Sequence, residues 1–448
     1  MDIRSSILLT DLYQLTMLQG YLEQGMEETA VFEFFVRRMP EQRGFFMAAG
    51  LEQLIDFLET VHITPWELDW IERSGIFSKS FVTYLERLGF GGDLHAMLEG
   101  TVFFTNEPIV RVTAPLPQAQ LVETRLINLL QFQTLIASKA ARSVLVAGEK
   151  PLIDFGLRRA HGAEAGLLAA RASYLAGFAG SATVLAEPLF GVPVFGTMAH
   201  SFIQAHSLET EAFEHFAKAH PNNVILLIDT YDTEEGAKKV VKLAPRLKLK
   251  GITVKGVRLD SGDLTAHAFK VRGILDEGGL PNVQITASGN LDEYAIQAMV
   301  AAKAPIDHLA VGTKMSASAD VPYLDCAYKL QEYAGRPCRK KSEGKATWPG
   351  RKQVYRKFNQ DGRIDFDILT TADDPQEGEA LIQPIMESGK RIGSPISLKQ
   401  AREHARVQLS RLPDSLRQLR EGATVEVKVS PALHELARSV DAQGQQQQ

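Results

Sequence analysis

Six places in the chain set small, charged or hydroxyl-bearing residues directly after a short apolar run. They are Asp154-Phe155-Gly156, Gly196-Thr197, Asp229-Thr230, Arg258 through Asp263, Ser288-Gly289-Asn290 and Gly312-Thr313-Lys314. Ser288-Gly289 and Gly312-Thr313 let backbone N–H groups approach an anion closely, and their hydroxyls add donors. Asp260 and Asp263, in RLDSGD, can hold ribose hydroxyls or a Mg²⁺ through water. Arg258 offers a planar fork for a carboxylate or phosphate, or a salt bridge to a neighbouring aspartate. These residue types together suit a phosphorylated substrate.

The histidine with the most to do is His200, in VPVFGTMAHSFIQAH (192–206). Val192, Val194 and Phe195 favour a strand, Gly196 breaks it, and Thr197 can cap a helix whose first turn holds His200. Free backbone N–H groups and a helix dipole there suit a phosphate. Ordinary hydrogen bonding would satisfy a loop histidine equally well. No HExxH, Walker loop, CxxC pair or GxSxG elbow occurs, which removes several hydrolase and nucleotide-binding classes.

The positioning elements follow from periodicity. From residue 150 apolar strands alternate with helices: PLIDFG, then helix 163–176; VPVFG and a helix; NVILLID and helix 234–247; ITVKGVRLD and helix 264–277; VQITAS and helix 291–302; then HLAVGT. This alternation calls for parallel strands with helical crossovers, and strands apolar on both faces call for a covered sheet. The fold class is therefore α/β, an irregular βα barrel, whose carboxyl strand ends form the working face. Before it, residues 8–21 show helical spacing, 30–38 a strand, 51–59, 65–73 and 79–88 helices, and 116–147 a long helical pattern broken once. After it, QVYRKFNQDGRIDFDILT is a hairpin with Asp-Gly at its turn and 398–420 is helical. N-terminal and C-terminal segments thus build an additional α+β domain. The expected boundaries are 1–115 and 321–440 for that domain, 116–320 for the barrel, and 441–448 for a disordered glutamine-rich tail.

Composition narrows the class. The 448 residues carry a net charge of −5, 45% hydrophobic and 23% charged residues, as ordinary globular proteins do. Without an excess of Lys and Arg, nucleic-acid binding has no basis, and no apolar run is long enough for a membrane span or signal peptide. Two cysteines, Cys326 and Cys338, are too few for a disulfide framework or cysteine zinc site, and a reducing cytoplasm fits. The basic run RKKSEGK (339–345) reads as a solvated loop or as a grip on polyphosphate.

In this order, TDLYQLTM, DFGLRR, GTMAHSF, IDTYD, GVRLDSGDL, the VGT strand end and PGRKQVYR resemble the nicotinate phosphoribosyltransferase family, of the type II phosphoribosyltransferases. The resemblance runs from about residue 9 to 356, and GTMAHSF and GVRLDSGDL are its specific pieces. It implies condensation of nicotinate with phosphoribosyl pyrophosphate to nicotinate mononucleotide and pyrophosphate, the first step of NAD salvage from nicotinate. It also implies coupling to ATP hydrolysis, with ATP as co-substrate and Mg²⁺ as cofactor, and a homodimer with shared active sites. His200 takes the place of the phosphohistidine. Tyr13 takes that of a ring stacking on the pyridine across the dimer interface. Thr197 and Arg258 match nicotinate contacts, and Thr313 a phosphoribosyl contact; Asp154, Arg158, Asp229 and Asp260 fall in matched motifs, with Ser288, Gly289 and Gly312 beside the phosphate. No metal ligand is fixed beyond Mg²⁺ on the pyrophosphate, with Asp260 and Asp263 as candidates.

The chemistry agrees with this reading. Pyridine nitrogen is already a competent nucleophile, so the protein must position it and help pyrophosphate leave. His200 must be neutral to attack a γ-phosphate, and Asp229 could orient its other nitrogen. A barrel acting on nicotinamide and a catalytically silent barrel remain alternatives at this point.

Overall fold

The computed structural model describes residues 6–419 and 422–446 and divides into two compact units, 139–322 and 6–138 with 323–446. The first unit carries the strand ends. Its strands are β1 (Leu152–Asp154), β2 (Gly180–Ser181), β3 (Val224–Leu227), β4 (Val254–Leu259), β5 (Gln284–Ala287) and β6 (His308–Val311). They pair in parallel in the order β2-β1-β6-β5-β4-β3. A single parallel bridge, Ser181 to Val194, adds one more position beyond β2. Spatial order is thus the chain order wrapped into a circle, closed everywhere except between Val194 and β3. That is a curled sheet, an irregular barrel with one open seam.

Helices Ala163–Ala176, Thr233–Lys248, Leu264–Glu277 and Glu293–Ala301 are the crossovers, and local chemistry starts three of them. Asp232, Asp263 and Asp292 each accept a backbone N–H three residues on, at 2.8, 3.0 and 2.8 Å. Leu226, Leu227, Val257, Leu259, Ile285, Ala287 and Leu309 are fully buried, as a covered parallel sheet demands.

The VPVFG run departs from expectation: it forms the Val194 bridge and no strand. Pro193 has no N–H for a ladder, and Val194 stays 46% exposed. In its place the two-residue β2 supplies the pairing.

The other unit joins both ends of the chain. Strand Thr29–Val36 lies antiparallel to Cys326–Tyr333 and to Val110–Pro115, and Asp93–Ala96 pairs with Gln383–Glu387. Hairpin Lys352–Phe358 with Ile364–Thr371 anchors a second sheet of four strands. The long helical pattern breaks at Val122, into Leu116–Leu121 and Glu123–Ala147. The unit boundary falls at 138/139, within that helix, instead of 115/116. The reason is packing, since Tyr328 Oη donates to the Ala119 carbonyl at 2.8 Å and the Leu116–Leu121 helix lies against strand Thr29–Val36. The tail is a further correction: helix Pro431–Gln446 runs through most of the stretch expected to be disordered, and 447–448 lie outside the described residues. Arg339 and Lys341 of the basic run pair with Asp441 on that helix at 3.6 and 3.1 Å.

Candidate active site

Four strand ends converge through side chains. His200 opens the five-residue helix His200–Gln204, after β2 and the Val194 bridge. Its Nδ1 lies 3.1 Å from Thr230 Oγ1, just past β3, and its Nε2 lies 3.6 Å from Asp260 Oδ2, just past β4. Asp260 Oδ1 accepts from Ser288 Oγ, just past β5, at 2.5 Å. Four separate segments therefore meet in one chain of polar contacts, Thr230–His200–Asp260–Ser288.

Asp229 organises this chain from beneath and does not touch the histidine. Its Oδ2 accepts from the Asp260 backbone N–H at 2.8 Å and from Ser261 Oγ at 2.6 Å, while Oδ1 is buried without a hydrogen-bond partner. The orienting role expected of Asp229 falls to Thr230. A turn is needed to bring Ser288 in, and Gly289 makes it with a φ of +102°. A Cβ there would sit 2.2 Å from the Asp260 carbonyl oxygen, so no side chain is accommodated.

Arg258, at the end of β4, is 9% exposed. One terminal nitrogen donates to the Met198 carbonyl at 2.9 Å, which ties it to the His200 segment. Its guanidinium lies 5.9 Å from the Phe155 ring centroid, and its Nε–H is buried without a partner. Burial lowers its pKa, opposed by Asp260 and Asp229, and Arg158 adds a repulsion. A desolvated cation with an open donor is suited to an anionic ligand group.

Asp154 ends β1 and is 1% exposed. Its oxygens accept from Gly156 N at 2.8 Å and Ser181 Oγ at 2.6 Å. Burial outweighs these bonds and pushes its pKa up to about 6. Because the folded value exceeds the unfolded one, Asp154 favours folding below about pH 4 and loses that contribution as pH rises through about 6. A shift of about two units corresponds to about 3 kcal/mol. The melting temperature of Asp154→Asn minus that of the unmodified protein is therefore expected to grow between pH 4.5 and 7 and then level off. A difference that stays flat across that range would contradict the assignment.

The remaining expectations sort by position. Gly312 and Thr313 follow β6, and a Cβ on Gly312 would meet the Phe155 carbonyl at 3.0 Å. Arg158 is exposed on the turn Leu157–Arg159, close enough to Arg258 to be felt electrostatically. Thr197 does not cap a helix: Ala199 is the N-cap, and Thr197 Oγ1 lies 3.5 Å from the Met198 carbonyl. A single helical turn also sums few peptide dipoles, so side chains do the work expected of a helix N-terminus. Asp263 is exposed, and its Oδ1 accepts from Ala266 N as a helix cap. Tyr13 is 47% exposed on helix Leu12–Glu23 of the other unit. Sequence reasoning missed Ser181, which lies in a two-residue strand, and gave no role to Thr230 or Ser261. Their only sequence signal is a hydroxyl one residue beyond an aspartate at a strand end.

This geometry sits on a chain with informative relatives. Residues 8–131, 151–300 and 375–437 match, in turn, the nicotinate phosphoribosyltransferase (NAPRTase) N-terminal domain, the nicotinate phosphoribosyltransferase (NAPRTase) family and the nicotinate phosphoribosyltransferase C-terminal domain. Over 443 residues the chain is 46% identical to a nicotinate phosphoribosyltransferase of Mycobacterium tuberculosis, covering 98% of this chain and 95% of that protein. The chain belongs to the nicotinate phosphoribosyltransferase family. It is also 41% identical over 359 residues to a nicotinate phosphoribosyltransferase of Bacillus subtilis, with 78% and 73% covered. The crystal structure of human nicotinic acid phosphoribosyltransferase superposes with a TM-score of 0.87 at 30% identity, covering 96% of this chain and 99% of that one. The family match spans His200, Arg258, Asp260 and Ser288, the residues that the fold brings together.

Proposed function

We propose that this chain condenses nicotinate with phosphoribosyl pyrophosphate, giving nicotinate mononucleotide and pyrophosphate, in a cycle coupled to ATP through phosphorylation of His200. This is the first step of NAD salvage from nicotinate, carried out in the cytoplasm by a homodimer with shared active sites. The observation that carries the reading is the buried Arg258, tethered to the His200 segment with one N–H unclaimed. A nicotinate carboxylate takes such a donor and matches its charge; a nicotinamide carbonyl can take the donor too, and its NH₂ also asks for an acceptor. The nearby carboxylate Asp154 has both oxygens engaged and almost no exposure.

Arg258 holds the carboxylate, and Phe155 beneath its guanidinium helps exclude water. The pyridine nitrogen then attacks the anomeric carbon as the bond to pyrophosphate oxygen breaks, and positioning lowers the barrier. Ser288-Gly289 and Gly312-Thr313 offer backbone N–H groups and hydroxyls to the phosphoribosyl phosphate.

ATP coupling needs the tautomer that keeps Nε2 unprotonated. Nδ1 is within hydrogen-bond reach of Thr230 Oγ1, whereas Nε2 to Asp260 is longer than a hydrogen bond. In that tautomer Nδ1–H donates a hydrogen bond to Thr230 Oγ1, which leaves the Nε2 lone pair as nucleophile. Nε2 attacks the γ-phosphorus, the bond to ADP breaks, and water later hydrolyses the phosphohistidine to phosphate and histidine.

Among the described residues no three His, Cys, Asp or Glu side chains stand together as a metal cage. Mg²⁺ is ordinarily held by one or two carboxylates plus substrate phosphates, and Asp260 with the unpartnered Asp229 Oδ1 fits that pattern. Bound there it would neutralise charge on the leaving pyrophosphate. The homodimer is supported by Leu9, Leu12 and Tyr13, which leave an apolar face exposed at the start of the N-terminal helix. No helix among the described residues is long and apolar enough to cross a membrane.

Product formation from phosphoribosyl pyrophosphate and Mg²⁺ tests the reading, with nicotinate or nicotinamide and with or without ATP. Nicotinate turnover accelerated by ATP is the expected result. Turnover of nicotinamide alone would overturn the substrate, and indifference to ATP would overturn the coupling.

A further inference from the structure

We propose that Lys139 is a positioning residue for phosphoribosyl pyrophosphate, a buried strut that sets the separation of the two glycine turns. The inference rests on the reading that Ser288-Gly289 and Gly312-Thr313 receive the substrate's phosphate. Lys139 is 2% exposed and lies on helix Glu123–Ala147. Its Nζ lies 2.6 Å from Glu293 Oε2 and 2.8 Å from Asp320 Oδ1. Glu293 is the first residue of the helix that follows the Ser288–Asn290 turn, and it is fully buried. Asp320 closes the compact segment that begins at Gly312. One ammonium therefore joins the segments on which the two turns are mounted.

A second strut connects the same segments nearer the surface. Lys314, next to Thr313, donates to Asp292 Oδ2 at 2.7 Å, while Asp292 Oδ1 caps helix Glu293–Ala301. Arg142 fixes Glu293 from the other side at 3.0 Å and reaches Tyr294 Oη at 3.1 Å. Buried ion pairs of this kind seldom stabilise more than apolar side chains of equal volume, so stability alone gives little reason for three charges here. What they provide is a fixed geometry. Backbone donors bind an anion well only when the turns presenting them are held within a few tenths of an ångström, and neither glycine turn can supply that rigidity itself.

The test compares the unmodified protein with Lys139→Met, which keeps most of the length and removes the charge, and with Asp320→Asn, which removes the charge of one arm and leaves the bond to Glu293. In Lys139→Met the KM for phosphoribosyl pyrophosphate is expected to rise about tenfold or more while that for nicotinate stays within about twofold. Asp320→Asn should move the same constant in the same direction by less, and it decides the matter should Lys139→Met not fold. An unchanged phosphoribosyl pyrophosphate KM in the folded variants, or equal rises for both substrates, would overturn the strut. Calorimetric titration of the unmodified protein with phosphoribosyl pyrophosphate separates the two levels. Absence of binding removes the underlying reading and the strut with it, whereas normal binding with unmoved variants removes the strut alone.

Discussion

Arg258→Ala is expected to lower kcat/KM for nicotinate by about 100- to 1,000-fold, a range typical for loss of one preorganised donor. Affinity for phosphoribosyl pyrophosphate should stay within a few-fold. The asymmetry follows from where the guanidinium points its hydrogen-bonding capacity. One terminal nitrogen is committed to the Met198 carbonyl, and Nε–H is buried with nothing in the protein to accept it. Removing the side chain takes away that open donor and leaves Asp229 and Asp260 facing each other without their nearest compensating charge. The first loss falls on the aromatic carboxylate and is the larger, since the glycine turns that serve the phosphate belong to β5 and β6. Steady-state kinetics with each substrate varied in turn is the measurement. Equal losses for both would move Arg258 to the phosphate side of the site.

His200→Ala is expected to abolish both the acceleration by ATP and the transfer of label from γ-labelled ATP to the protein, leaving the slow ATP-independent transfer. The nucleophilic nitrogen in our proposal is Nε2, with Thr230 Oγ1 accepting a hydrogen bond from Nδ1–H. Alanine removes the acceptor of the phosphoryl group without disturbing Arg258, whose bond goes to the backbone of Met198. Asp229 Oδ2 and Asp260 Oδ1 are engaged with backbone N–H and serine hydroxyls within the same network, so neither carboxylate presents the imidazole nucleophile that the variant lacks. Full ATP stimulation in this variant would sink the phosphohistidine assignment.

Much of this site could be read from the chain because an α/β barrel places its functional residues by rule. Apolar runs ending in Asp, Arg, Ser-Gly or Gly-Thr mark most of the convergent residues in the chain itself. What the sequence does not carry is the choice of partner. Asp229 and Thr230 are neighbours, and either residue type can bond a histidine; the turn past β3 sends Asp229 beneath Asp260 and gives His200 to the threonine. A strand of two residues such as β2 has no periodicity to detect, and Val192, Val194 and Phe195 disguised a coil as a strand. Lys139 looks like one cation of a long amphipathic pattern, and only the tertiary fold sets two carboxylates around it. The glutamine-rich tail shows the opposite error. Low complexity suggested disorder, yet Leu433 and Ala437 are buried and anchor a helix that carries the following residues along.

The open seam between Val194 and β3 bears on how the reactive histidine can move. Closed barrels fix every segment by ladder hydrogen bonds, so a residue on their rim shifts only when neighbouring strands shift with it. Residues 196–199 enter no strand ladder, and past the Phe195 N–H bond to the Ser181 carbonyl the segment is held through side chains: Arg258 on Met198, and Thr230 and Asp260 on His200. The same groups that we assign to substrate and phosphoryl chemistry are the latch of that segment. A ligand on Arg258 or Asp260 therefore bears on the same contacts that hold the segment, and the seam gives this protein a mechanical link between what is bound and where its histidine stands.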